Sequence, residues 1–235
     1  MINVFFERRN GMSTASSRDT LLTGRTVIIA GATGLVGREI LEGLLADRTV
    51  VAVHSLGRKV PAIQHPKLTA HVVDFAALPA LPSADEVYLA LGTTIKVAGS
   101  QGAFRAVDYE ANLAVATAAL AAGARKAGLV SAMGADSNSK VFYSRVKGEL
   151  ENALAQLPFD GLVIARPSML AGNREALGQP TRRGEELASA FGKTFGFLIP
   201  ANYKPIEAAA VARALLFAVP SGQGKKVLLS GAMQR

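Results

Sequence analysis

Val27-Ile28-Ile29-Ala30-Gly31-Ala32-Thr33-Gly34-Leu35-Val36-Gly37 is the stretch that decides the fold. Val27 to Ala30 is continuously apolar rather than alternating, the pattern of a parallel strand buried on both faces. Three glycines follow at GxxGxxG spacing and lead into an amphipathic segment over residues 35–46. Each glycine has its own task in gripping a dinucleotide. Gly31 turns the chain sharply out of the strand, Gly34 removes a Cβ where a pyrophosphate would lie against the backbone, and Gly37 lets the helix pack closely on the strand. Thr33, Leu35 and Val36 then bring backbone N–H groups and the positive end of the helix dipole to the phosphates. The spacing alone carries little, because the chain holds 23 glycines in 235 residues and a plain Gly-rich loop would show it too. Its place between a strand pattern and a helix pattern is what gives it meaning.

The same alternation runs along the chain. Strand patterns fall at 26–30, 50–54, 68–73, 86–91, 128–131, 161–165 and 227–229, and helix patterns at 35–46, 104–122, 140–156, 183–191 and 205–219. Short apolar strands spaced by amphipathic helices predict parallel βαβ units, hence an α/β, Rossmann-like doubly wound parallel sheet with helices on both faces. No linker divides the chain, so residues 24–235 read as one domain. Residues 1–23 are largely polar and rich in Ser and Thr and read as a mobile extension, with Met12 an alternative start. Segment 172–204 breaks the rhythm with several Gly and Pro after a strand end. Ligands in open α/β sheets lie outside the carboxyl ends of strands, so this insert is expected to cover a small-molecule substrate.

Composition excludes several classes. Cysteine is absent, which rules out disulfides, thiol catalysis and iron–sulfur clusters and suits a reducing, cytoplasmic location. His54, His65 and His71 lie on separate segments, with no acidic partner at metal-ligand spacing, so no metal is expected. No apolar run reaches the roughly 18–20 residues that span a bilayer, so no membrane partner is expected. Net charge is +8, but the cations are scattered and not interleaved with aromatics, which disfavours nucleic acid. The Ala-rich helix over 111–122 would pack on the sheet or on a second copy in a homodimer.

An acidic residue near the end of the second strand would hydrogen-bond the ribose diol of NAD. Here that strand runs out through Val53-His54-Ser55-Leu56-Gly57-Arg58-Lys59, with two cations and a hydroxyl in place of a carboxylate. Arg58 offers planar bidentate donors and Lys59 a point charge, so NADP(H) is favoured over NAD(H), against the alternative of ordinary solvated cations. Asp74, in Val72-Val73-Asp74-Phe75 at the end of strand three, is placed to accept from an adenine amino group, with Phe75 beside it, or else to cap the next turn. Leu91-Gly92-Thr93 puts small residues beside the expected ribose and pyrophosphate.

The chemistry candidates follow in chain order. Tyr143 and Lys147 stand at i and i+4 on one helix face. A cation beside a phenol favours the phenolate, so such a tyrosine can give a proton to a carbonyl oxygen as hydride arrives, or take one back. The alternative is a surface pair on an amphipathic helix. Ser131 ends a strand 12 residues before Tyr143, where its hydroxyl would polarise the substrate oxygen or merely form a turn.

The Gly31–Gly37 turn, Ser131 and Tyr143-xxx-Lys147 resemble the short-chain dehydrogenase/reductase superfamily, in particular its atypical NAD(P)-binding members. Leu91-Gly92-Thr93-Thr94, Lys147-Gly148-Glu149 and Arg166-Pro167-Ser168 are similar to its Tat-interacting-protein-like oxidoreductase group, and the resemblance covers about residues 24–220. It implies that Tyr143 is the acid/base, Lys147 its activator and a ribose ligand, and Ser131 the group that orients the carbonyl. It further implies that Asn112 holds a proton-relay water, and that Pro167 and Ser168 belong to a segment whose backbone reaches the nicotinamide amide. Ala132 replaces a second hydroxyl common in relatives after that strand. The implied activity is an NADPH-dependent oxidoreductase acting on a small carbonyl-type substrate. A cofactor-binding regulator that docks partner proteins, and an isomerase or dehydratase with tightly held cofactor, are the alternatives.

Overall fold

Seven of the apolar runs become strands of one sheet. The computed structural model describes residues 24–171 and 201–234. The strands are β1 (Arg25–Ala30), β2 (Val50–Gly57), β3 (Leu68–Val72), β4 (Glu86–Leu89), β5 (Lys126–Val130), β6 (Gly161–Arg166) and β9 (Gly224–Leu229), in the order β3-β2-β1-β4-β5-β6-β9. Every pairing within this sheet is parallel. The strand order reverses between β1 and β4, and it is at such a switch point that a crevice opens beyond the carboxyl ends.

Neighbouring residues of β1 serve two different cores, which explains its unbroken apolar run. Val27 and Ile29 pack with α1 (Leu35–Ala46) and α6 (Ala208–Ala218) on one face. Ile28 and Ala30 pack on the other face with Val115, Ala116 and Ala119 of α4 (Asn112–Ala121) and Leu150 and Leu154 of α5 (Phe142–Ala155). All six of these central side chains of β1, α4 and α5 that carry more than one methyl group, Val27, Ile28, Ile29, Val115, Leu150 and Leu154, are fully enclosed. At roughly 1.5–3 kcal/mol for each large aliphatic side chain buried, this double burial is what holds the strand central.

Several boundaries move. The second strand continues past His54 to Gly57, because its pairing with β1 persists through Ala30 opposite Leu56. Ser55 therefore lies buried inside the sheet, opposite Ile29, and its hydroxyl is not on the Arg58 loop. The helix expected over 104–122 is three segments: α3 (Gln101–Arg105), a π-helical stretch Ala106–Ala111 and α4. The helix expected from residue 205 begins at Ala208, because Ile206–Glu207 forms β8 and pairs in parallel with β7 (Leu170–Ala171) in a small second sheet. Residues 93–103 hold the short helix α2 (Ile95–Ala98) and the first turn of α3. The extension 1–23, the helix expected at 183–191 and most of the insert 172–204 lie outside the described residues; of the insert, 201–203 form a 3-10 turn.

Candidate active site

The glycine turn is built tightly, and its three glycines differ. Gly31 has φ +89°, and a Cβ there would lie 2.5 Å from the carbonyl of Ala90, where the end of β4 passes. A Cβ on Gly37 would sit 2.0 Å from the Gly31 carbonyl oxygen. These two are demanded by the protein's own packing. Gly34 is not: a Cβ there would meet only the Gly31 oxygen, at 3.4 Å. Gly34 is the N-cap of α1, whose first turn carries no acidic side chain, so the positive helix end faces out unneutralised. Val36 is buried under the turn, while Thr33 is exposed and Leu35 half-buried at its rim. A cradle that is open at Gly34 and edged by free amides fits a pyrophosphate.

Arg58 and Lys59 follow β2 directly at its carboxyl end, both exposed, and neither forms an ion pair among the described residues. Asp74 is exposed two residues beyond β3, and its Oδ1 accepts the Ala76 N–H at 3.0 Å, so one oxygen caps the turn and the other is open. Phe75 packs against the α4-side core. Beyond β4, Gly92 is exposed, and the peptides on either side of it are tied down. Asn112 donates from Nδ2 to the Leu91 carbonyl at 3.1 Å, and the Thr93 N–H donates to Asp108 Oδ2 at 2.8 Å.

The face of α5 carries Tyr143, Lys147 and Glu151 at successive i, i+4 steps. Tyr143 is half-buried with its ring 5.5 Å from that of Phe104. Lys147 is buried, and its Nζ lies 2.7 Å from Oδ1 of Asp108, itself buried on the π stretch. Burial works against the ammonium, but Asp108 first, then Tyr143 and Glu151, more than offset it, so its pKa stands above the ordinary lysine value. Asn112 spends Nδ2 on the carbonyls of Leu91, Val107 and Asp108, and its buried Oδ1 accepts from no donor among the described residues.

Ser131 is held by a neighbour the sequence did not reveal. Its hydroxyl donates to Oε1 of the buried Glu151, and Arg166 clamps the same carboxylate, Nη2 to Oε2 at 2.6 Å and Nε to Oε1 at 3.0 Å. The serine proton is committed to that carboxylate, so the oxygen presents lone pairs rather than the free donor expected for polarising a carbonyl. The Pro167 carbonyl accepts the Met133 N–H at 2.8 Å, and Ser168 donates to the Lys204 carbonyl and pairs with Ser230, joining the end of β6 to residues 201–204 and to the helix Ser230–Met233.

Asp108 and Glu151 are the site residues that sequence reasoning missed, and Arg166, named only within its motif, takes the role of clamping Glu151. No spacing signal pointed to Asp108, because its partner lies on another helix. Glu151 was within reach, being one further i+4 step from Lys147. The histidines also regroup: His54 Nδ1 and His71 Nε2 lie 3.1 Å apart across β2 and β3, and burial and His71 together hold His54 below its ordinary pKa. Among the described residues no three His, Asp or Glu side chains gather as metal ligands, and no helix is long and apolar enough to cross a membrane.

Residues 31–190 match the NAD(P)H-binding family. The chain is 33% identical to the mitochondrial protein FMP52 of Coccidioides immitis, covering 88% of this chain and 93% of that one. It is 34% identical to HTATIP2 of Rattus norvegicus, covering 90% of this chain and 88% of that one. Among solved structures it resembles a UDP-N-acetylglucosamine 4-epimerase from Methanobrevibacter ruminantium, with TM-score 0.65, 15% identity and coverage of 88% and 77%. It also resembles a short-chain dehydrogenase/reductase family oxidoreductase from Burkholderia thailandensis, with TM-score 0.62, 21% identity and coverage of 90% and 93%. At these identities the solved structures establish the fold. The expectation of a cytoplasmic location is corrected, since FMP52 relatives from three fungi are named as mitochondrial. A chain without cysteine is free of disulfides in any compartment, so composition had no power to choose between them.

Proposed function

We infer the activity from one premise: this chain belongs to the NAD(P)H-binding family and is an atypical short-chain dehydrogenase/reductase of the HTATIP2 type. We propose that it is an NADPH-dependent oxidoreductase that reduces a small carbonyl-type substrate. The observation that carries this reading is the buried ammonium of Lys147, one helical turn from the half-buried Tyr143 on the face of α5.

The glycine cradle, Thr33, and the amides of Leu35 and Val36 would hold the pyrophosphate, and Leu91–Thr93 would line the adjoining ribose. Arg58 and Lys59, free of ion pairs among the described residues, would take the 2′-phosphate, which favours NADPH over NADH. Bound NADPH would supply the hydride. Tyr143 gives its proton to the substrate oxygen, and Lys147 stabilises the phenolate left behind. Asn112 offers its unpartnered Oδ1 to a water that returns the proton. Ser131, whose hydroxyl donates its hydrogen bond to Glu151, accepts a hydrogen bond and so orients the reacting oxygen after protonation rather than before. The protein contributes position and proton transfer, and the cofactor the redox step.

The reading is tested by presenting the full chain with NADPH and a panel of aldehydes and ketones while following NADPH absorbance. Carbonyl-dependent oxidation is expected. Stoichiometric NADPH binding without oxidation across the panel would replace this reading with that of a cofactor-binding regulator.

A further inference from the structure

The geometry points to Asp108 as the positioning residue that fixes Lys147: from the π stretch, its carboxylate locks the lysine ammonium beneath the loop that follows β4. The inference deepens the reading of Tyr143 and Lys147 as an acid/base pair and rests on it for its consequence in turnover, though not for the contact itself.

Lys147 is 4% exposed and Asp108 1% exposed. An ammonium at such depth is costly unless it is paired. Three ionisable groups face it: Asp108 from the π stretch, and Tyr143 and Glu151 from its own helix. Glu151 is already engaged by Arg166 and Ser131, and the loop after β4 contributes backbone alone, with Gly92 alongside the pair. Asp108 is therefore the group in ion-pair contact, at 2.7 Å. Its other oxygen accepts the Thr93 N–H, so one carboxylate joins three elements: the loop after β4, the π stretch and α5. π turns inside helices recur at functional sites; this one carries Asp108 and is followed at once by Asn112, the first residue of α4, and both side chains reach the same loop.

The pair does two things for the site. The ammonium lies 2.7 Å from Asp108 Oδ1 in an ion-pair contact, held where its three donors can serve the Tyr143 phenol and a ribose hydroxyl. The pair is also neutral overall, so the lysine stays charged when no ligand is present and its charge is available when Tyr143 releases its proton. Without Asp108, burial acts on Lys147 against the weaker pull of Tyr143 and Glu151 alone and drives it toward the neutral amine, which no longer favours a phenolate.

The test follows the Lys147 Nζ resonance in full-length protein carrying 15N-lysine, assigned by its loss in Lys147→Arg, as pH is raised. Wild-type Lys147 is expected to remain charged past the ordinary lysine value of 10.5. In Asp108→Asn it should titrate at least about one pH unit lower than in wild type, a tenfold loss of proton affinity, and Asp108→Glu should restore most of that. The alkaline limb of kcat should move down with the resonance. Equal titration in wild type and Asp108→Asn, or a wild-type Lys147 that deprotonates at or below 10.5, would overturn the assignment. The wild-type titration and Asp108→Glu decide the matter even where Asp108→Asn does not fold. A shifted resonance in a protein without turnover on any carbonyl would overturn the acid/base reading and leave the Asp108 contact standing.

Discussion

The turn between β1 and α1 and the inner face of α5 meet at the same crevice but are specified in opposite ways. At the turn the constraint is local and steric. Gly31 and Gly37 are required because a side chain would strike backbone at 2.5 Å or less, and the residues involved lie within one short run, apart from the end of β4. On α5 the constraint is distant and electrostatic. Lys147 is set by Asp108 on another helix, and Ser131 by a glutamate that Arg166 of β6 holds in place. A steric rule written in adjacent residues can be read along a chain. A buried charge pair cannot, because neither partner marks the other in sequence.

The contrast can be broken most sharply at the glycines. Gly31→Ala or Gly37→Ala should cost about 3 kcal/mol or more, as overpacking against backbone that cannot yield, and thermal unfolding would show it. Gly34→Ala should melt close to wild type yet bind NADPH weakly, because the space beside it belongs to the ligand. Equal melting temperatures across the three variants would remove the distinction between packing glycines and the ligand glycine.

On the α5 side, Glu151→Leu strands Arg166 and leaves Ser131 without its acceptor. A loss of about 3 kcal/mol is expected, at the lower end for a buried pair because Arg166 is partly exposed. The double variant with Arg166→Leu should recover much of it, since the penalty lies in the unpaired charge. Denaturant unfolding of the single and double variants measures this, and strict additivity would contradict a coupled pair. Smaller still, Arg58→Ala should weaken NADPH by about 10–100-fold, the worth of one or two charge-assisted hydrogen bonds, and leave NADH nearly untouched. Equal weakening of both cofactors in a fluorescence titration would detach Arg58 from the 2′-phosphate.

The strand–helix alternation carried most of the fold, because the inner strands hold short apolar runs, whereas the edge strands β3 and β9 mix in polar residues. α1 was legible to the residue, at 35–46, since the glycine cap starts it and its apolar stripe is regular. The π stretch was not legible: Ala106 to Ala111 contains no Gly or Pro to mark a change of helical pitch, and what the distortion serves, Asp108 reaching Lys147, exists only in three dimensions. β2 outran its expected end because pairing with β1 sustained it, a tertiary effect acting on the unremarkable run Ser55-Leu56-Gly57. At the site, Tyr143 and Lys147 were visible as an i, i+4 pair. The redirection of the Ser131 hydroxyl was not, since a serine at a strand end gives no sign of which acceptor will claim its proton.

The central claim is that the turn binds the cofactor while the α5 face performs the proton transfer. Tyr143→Phe separates the two, with NADPH affinity and carbonyl-dependent NADPH oxidation measured on the same preparation. The account predicts an NADPH dissociation constant within about twofold of wild type and turnover lower by about 10²–10⁴-fold, the usual contribution of a general acid. Turnover at the wild-type rate in Tyr143→Phe would contradict it.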